Sequence, residues 1–122
     1  MNTLGDNVII QYLRLIKRIV SNENCIFKIV NRPKNKRFFN ENNLSYNDVK
    51  KIILNLTVED YLSGPEKDKD TSYEGWIFKF SPYYLDIKLY IKIRVEDQSK
   101  AICISIHEFG LNRKDGLNEK DR

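Results

Sequence analysis

Side chains able to move protons or hold phosphate fall at alternate positions in two C-terminal apolar runs: Tyr90, Lys92 and Arg94 in one, Ser105 and His107 in the next. Successive strand residues point to opposite faces, so Tyr90, Lys92 and Arg94 share one face while Leu89, Ile91, Ile93 and Val95 form the other. In the second run Ile102, Ile104 and Ile106 are expected to join the apolar face, leaving Cys103, Ser105 and His107 beside the polar set. The expectation is therefore a tyrosine, a lysine, an arginine, a serine and the only histidine on the wet side of one sheet.

That set suits metal-independent cleavage of RNA, which needs a base for the ribose 2′-hydroxyl, an acid for the departing 5′-oxygen and cations for the phosphorane charge. An unperturbed imidazole titrates near neutrality, which makes His107 the proton-transfer candidate. Lys92 and Arg94 are candidates for phosphate oxygens, with Lys79 and Ser105 beside them, and Tyr90 for a hydrogen bond or for stacking on a base. Half-buried antiparallel sheets also expose such residues for solubility alone, so spacing by itself leaves a binding or structural role open.

Other chemistries lack their residues. The five glycines are dispersed and form no phosphate-cradling loop, and Ser105 with His107 has no Gly-x-Ser-x-Gly elbow. One histidine and two widely separated cysteines, Cys25 and Cys103, do not suit a transition-metal site, and Asp68-x-Asp70 is a weak motif for a divalent cation. No metal and no cofactor is expected. Trp76, Phe78 and Phe80 read as core more readily than as a base-stacking surface.

The elements that must position these residues follow from periodicity. Val8, Ile9, Tyr12, Leu13, Ile16, Ile19 and Val20 recur at helical spacing, predicting a helix over residues 3–20. Cys25 to Val30 reads as a short strand, and Asn31 to Arg37 as a loop around Pro33. Phe38 and Phe39 open a helical turn, and Ser45 with Asp48 predicts the cap of a further helix carrying Val49, Ile52, Ile53 and Leu56. Thr57 to Asp60 suggests one more turn of helix, ended by Gly64-Pro65, with a polar loop over 66–75. Trp76 to Phe80, Leu85 to Val95 and Ala101 to Glu108 are the predicted strands, close enough in sequence to pair antiparallel. The fold class expected is α+β, N-terminal helices on a small C-terminal antiparallel sheet: one domain over residues 1–111 and a flexible charged tail over 112–122.

With 122 residues, 41% apolar and 31% charged, the chain has the balance of a single folded domain. No run approaches the length of a membrane span and no signal peptide opens the chain, so no membrane association and a cytoplasmic location are expected. The net charge of +4 is unevenly spread. Residues 28–37 hold Lys28, Arg32, Lys34, Lys36 and Arg37 without an acid, whereas 59–74 are mainly acidic. Such polarity favours a polyanion on one surface and a basic partner on another.

The run from Leu44-Ser45 through Asp48-Val49-Lys50-Lys51-Ile52-Ile53-Leu54, Leu56-Thr57-Val58-Glu59-Asp60-Tyr61 and Gly64-Pro65-Glu66-Lys67-Asp68 resembles the MqsR family of type II toxins. So do Trp76-Ile77-Phe78, Leu89-Tyr90-Ile91-Lys92-Ile93 and Ile102-Cys103-Ile104-Ser105-Ile106-His107-Glu108. The resemblance covers roughly residues 31–109. It implies a RelE-like fold, messenger-RNA cleavage without a metal, and neutralisation by a cognate antitoxin protein, the ribosome being a further potential partner. It implies site positions at Tyr90 and His107 with Lys92 beside them. Where the family carries a lysine after its second helix, this chain has Leu62-Ser63, and Lys67 is the candidate to supply that charge. The alternative reading is a catalytically inactive RNA-binding or protein-interaction module of the same fold.

Overall fold

A computed structural model describes residues 5–70 and 72–110; the expected tail over 112–122 and the helix start at Thr3 lie outside them. The architecture is α+β, with N-terminal helices followed by a C-terminal sheet. Helix α1 spans Asp6–Ser21 and buries Ile9, Leu13, Ile16, Ile19 and Val20 of the stripe its spacing predicts, while Tyr12 is partly buried and Val8 is exposed. Strand β1 (Ile26–Ile29) follows, then α2 (Pro33–Asn42) and α3 (Tyr46–Leu54). The Ser45 hydroxyl caps the Asp48 amide and the Asp48 carboxylate accepts from the Ser45 amide, holding the Asp48 carboxyl below its usual range.

Two local expectations fail. The predicted loop 31–37 is mostly the first turns of α2, because Pro33 occupies the opening helical position, where its fixed φ helps and its missing N–H costs nothing. Gly64-Pro65 does not stop a helix: after a short 3-10 turn (Val58–Asp60) it lies inside strand β2 (Tyr61–Glu66). Gly64 has φ +113°, and a Cβ there would lie 2.8 Å from the Phe78 Cα, so only glycine allows β2 to approach its neighbour.

The remaining strands are β3 (Trp76–Phe80), β4 (Tyr83–Tyr84), β5 (Ile87–Asp97) and β6 (Lys100–Glu108). The predicted strand start at Leu85 is instead the tip of a β4–β5 hairpin, with Leu85 at φ 57°. Spatial order is β1-β6-β5-β3-β2, with β4 pairing β5. The last strands are antiparallel as expected, but β1 runs parallel to β6, so the sheet is mixed. The chain between β1 and β6 is long enough for that return. No helix among the described residues is long and apolar enough to cross a membrane.

The core lies between the helices and one sheet face, where Phe78, Phe80, Leu89, Ile91, Ile93, Val95, Ala101, Cys103 and Ile106 pack beneath α1 and α3. Strand β6 enters this core in a way the alternation rule did not predict. Lys92 pairs with Ser105 but Ile93 pairs with Cys103, so Ile104 is an extra residue, a β-bulge. Beyond it the phase inverts. Cys103 points into the core, and Ile102 and Ile104 move to the polar side, opposite to the assignment from alternation.

The bulged stretch also outruns β1, leaving edge groups of β6 without a strand partner. Asn35 of α2 replaces one: its Nδ2 donates to the Ile104 carbonyl at 3.0 Å and the Val30 carbonyl at 2.9 Å, and its Oδ1 accepts from the Ile106 amide at 3.0 Å. The carboxamide is 1% exposed, so these bonds have no water to replace them.

Asn35→Ala should therefore lower stability by about 2–4 kcal/mol, the cost of orphaning buried backbone groups, as read from urea unfolding. A loss below about 0.5 kcal/mol would show that β6 does not depend on this contact. The inverted phase has its own test. Burial pushes the Cys103 thiol up to about 12, whereas Cys25 is half-buried. Native protein should expose one rapidly titrating thiol to Ellman's reagent and a second only on unfolding; rapid reaction of both would place Cys103 off the core.

Candidate active site

Antiparallel partners share a face, so the β3–β5–β6 register sets the polar side chains in rows across the sheet. The central row is Ser81, Tyr90 and His107: Tyr90 pairs with His107, and Ser81 falls opposite Tyr90 between the pairs Phe80–Ile91 and Tyr83–Lys88. On one side lies Lys79, Lys92 and Ser105, on the other Tyr83, Lys88 and, one residue beyond the end of β6, Phe109. A further row holds Ile77, Arg94 and Ile102. The expected co-facial set of Tyr90, Lys92, Arg94, Ser105 and His107 is thus assembled, and Lys79 joins it directly opposite Lys92.

The Tyr90 and His107 rings are 5.4 Å apart at 33°, and Phe109 stacks on Tyr90 at 5.9 Å and 23°. His107 Nδ1 lies 3.0 Å from the Glu108 carbonyl. A carbonyl only accepts, so this contact requires the Nδ1–H tautomer and leaves Nε2 as the nitrogen able to take a proton. Arg32, from the turn before α2, donates through Nη1 to the Ser105 hydroxyl at 2.9 Å, bringing another guanidinium to the lysine row.

The face is not wet, contrary to the expectation from alternation. Tyr90 and Lys92 are 4% exposed, Arg94 7%, and Ser105 and His107 1%. Part of the reason is a strap formed by residues 67–70 and 72–75, which the sequence presents only as a polar loop. The Asp68 carboxylate meets Arg94 Nη1 at 3.1 Å, Glu96 holds the other guanidinium nitrogens at 2.9 and 3.0 Å, and the Tyr73 ring lies 4.2 Å from the Arg94 guanidinium carbon. Within the strap, hydrogen bonds from the Ser72 hydroxyl and amide lower the Asp70 carboxyl, helped by the charge of Arg94. A lowered acid is ionised in the fold wherever it would be ionised unfolded; its contribution is complete above the ordinary aspartate range and fades only as pH falls below it. Near neutrality the Asp70 carboxylate is therefore ionised and accepts the two Ser72 hydrogen bonds.

Between strap and sheet is a cleft of about 510 Å³ whose lining includes Arg32, Asp68, Lys92, Arg94 and Ile104. Its cations come from the turn before α2, from β5 and, as Lys69, from the strap, which also supplies its acids. A bound anion would lie beside Lys92 and Arg32 and would compete with Asp68 for Arg94.

Lys79 pairs with Glu66 at 3.7 Å and retains some exposure. Lys67 does not join the rows: its ammonium sits 4.7 Å over the Trp76 ring, and Trp76 pairs with Val95 on the helix-bearing face. Phe78 and Phe80 are core, while Trp76 is 47% exposed under that lysine. Sequence alternation missed Ser81, whose Oγ is buried without a hydrogen-bond partner among the described residues, because Ser81-Pro82 reads as a turn. Arg32 was missed as well, since only the tertiary fold carries it to Ser105.

No model of a known protein family, no characterised protein and no solved structure matches this chain.

Proposed function

We propose that the protein is a metal-independent endoribonuclease, the toxin of a type II toxin–antitoxin pair acting on messenger RNA in the cytoplasm. The observation that carries this reading is the Tyr90–His107 cross-strand pair set against the cationic row of Lys79 and Lys92, with Arg32 at its end. The resemblance of the β5 and β6 segments to the MqsR family supports the choice of substrate, a RelE-like relationship and neutralisation by a cognate antitoxin.

In this mechanism the RNA phosphate lies against Lys92 and Arg32, which neutralise its charge as the phosphorane forms. His107 Nε2 takes the proton of the ribose 2′-hydroxyl while the 2′-oxygen bonds to phosphorus. As the bond from phosphorus to the 5′-oxygen breaks, the imidazolium returns its proton to that oxygen, and Tyr90 orients the nucleotide. The products are a 2′,3′-cyclic phosphate and a 5′-hydroxyl. Arg94 takes part only after the strap acid leaves it, because Asp68 and Glu96 already hold its guanidinium.

Removing only the functional atoms provides the test, since both rings are packed. His107→Gln should reduce cleavage of a mixed RNA pool by about 10²–10⁴-fold, the range for loss of a general acid–base group. Tyr90→Phe, which loses the hydrogen bond proposed from its hydroxyl to the nucleotide, should cost about tenfold. Both variants should keep the far-ultraviolet circular dichroism of the parent. Wild-type protein that leaves RNA intact with and without ribosomes would end the enzymatic reading.

The near-complete burial of His107 favours a second reading, in which the same face binds RNA or a protein without cutting. Salt-sensitive RNA binding without product would decide for it. The strap gives a prediction common to both readings. Asp68→Asn removes the charge competing for Arg94 and should tighten binding of single-stranded RNA by about fivefold, the scale of one partly exposed ion pair. Fluorescence anisotropy at fixed ionic strength reads this, and weaker binding would instead make Asp68 a support of the site.

A further inference from the structure

The outermost row of the polar face differs from the others in being open. Tyr83 is 67% exposed and Phe109 38% exposed, and Lys88 between them is exposed too. The Lys88 ammonium lies 5.4 Å from the Tyr83 ring centroid and 6.0 Å from that of Phe109. The geometry is held rather than loose. Tyr83 sits in the β4–β5 hairpin paired with Lys88, and the Phe109 amide donates to the Lys88 carbonyl at 2.8 Å.

Through Phe109 this row connects with the buried centre, since Phe109 stacks on Tyr90 and Tyr90 lies against His107. Exposed rings flanking a cation, continuous with buried cationic side chains, are poorly suited to a purely structural role: the Tyr83 ring buries little and its removal leaves no hole. They suit an unpaired base, which offers a flat face to an aromatic ring while its phosphate meets an ammonium. A base inside a duplex is already stacked on both faces.

We propose that Tyr83, Lys88 and Phe109 form a stacking platform that receives one unpaired base of single-stranded RNA flanking the nucleotide at the Tyr90–His107 pair. The assignment rests on the reading of the polar face as an RNA site and adds to it where the chain of the substrate leaves that site. The occupant is a polyanion because Lys79, Lys92 and Arg32 continue the positive charge inward from Lys88 along the same face. Glu108, the nearest acid on β6, pairs with Leu89 and so projects from the opposite face.

The test uses the full chain and a fluorescent single-stranded 2′-O-methyl oligoribonucleotide, whose blocked 2′-oxygen prevents cleavage, with binding followed by anisotropy. Tyr83→Ala and Phe109→Leu should each raise Kd by about fivefold or more, the loss expected for one base–aromatic contact. Leucine at 109 keeps apolar cover over Tyr90, so a folding defect is not the cause. Tyr83→Phe, which keeps the ring, should bind within about twofold of wild type, and an RNA duplex of the same sequence should show no difference among the variants. Unchanged Kd in the Tyr83→Ala variant would overturn the platform and leave this surface to a protein partner, as would loss of binding in Tyr83→Phe. The two readings separate in the same experiment. Wild-type protein that binds the probe through these rings but does not cut unmodified RNA keeps the platform and removes the ribonuclease, whereas wild-type protein that fails to bind the probe removes the platform.

Discussion

One extra residue in β6 determines what each side of the sheet can be. Had β6 stayed in simple alternation, either Cys103 or Ser105 and His107 would have been on the wrong face, because residues of equal parity cannot serve both core and site. The bulge at Ile104 resolves this: residues 101 and 103 pack with the helices, while 105 and 107 stand beside Lys92 and Tyr90. The cost is a stretch of backbone whose outer edge meets no strand. Asn35 meets that need with one carboxamide, and the helix that carries it opens at Pro33, one residue after Arg32. The bulge, its cap and the arginine that reaches Ser105 are thus parts of one arrangement, so a change in β6 register would move all of them together.

The polar face presents an electrostatic problem that the fold solves unevenly. Arg94 is almost fully enclosed, and a buried guanidinium is tolerable only with partners in good geometry; Asp68 and Glu96 supply them from different elements. Tyr73 adds its ring face to the same group. Lys79 solves the problem differently, remaining partly exposed at the end of a longer contact with Glu66. Charge on this surface therefore grades from tightly held at the strap to accessible near the β4–β5 hairpin, and the aromatic exposure follows the same direction.

Much of this was legible in the sequence where a single element carried the signal. The α1 stripe, the Ser45–Asp48 cap and the alternation of β5 all depend on neighbours a few residues away, and the structure has each as predicted save for Val8, which lies exposed at the start of the stripe. The co-facial placement of Tyr90, Lys92 and His107 was legible for the same reason, since the bulge lies before Ser105. The failures share a different cause. Cys103 and Ile102 were assigned to the wrong sides because a bulge is set by pairing, not by composition. Strand β2 was hidden because Gly64-Pro65 reads locally as a break, whereas its reason is the close approach of Phe78. The wet face proved covered because the strap that closes it is held by contacts between residues far apart in sequence.

The closed face constrains how any anion could reach it. Simply lifting the strap would leave Arg94 with only Glu96 in a site of low exposure, at a cost of about 1 kcal/mol, the scale of one partly exposed ion pair. An incoming phosphate avoids that cost if it arrives as Asp68 departs, because the guanidinium then exchanges one anion for another. Exchange of this kind favours a ligand already held nearby, at high local concentration, over one colliding from solution. The accessible row at the hairpin is the place where such holding is possible, since its rings and ammonium are exposed while the inner rows are not. Binding from the outside inward, first by stacking and then by displacement of the strap acid, is the order that the distribution of burial and charge favours for a single-stranded polyanion.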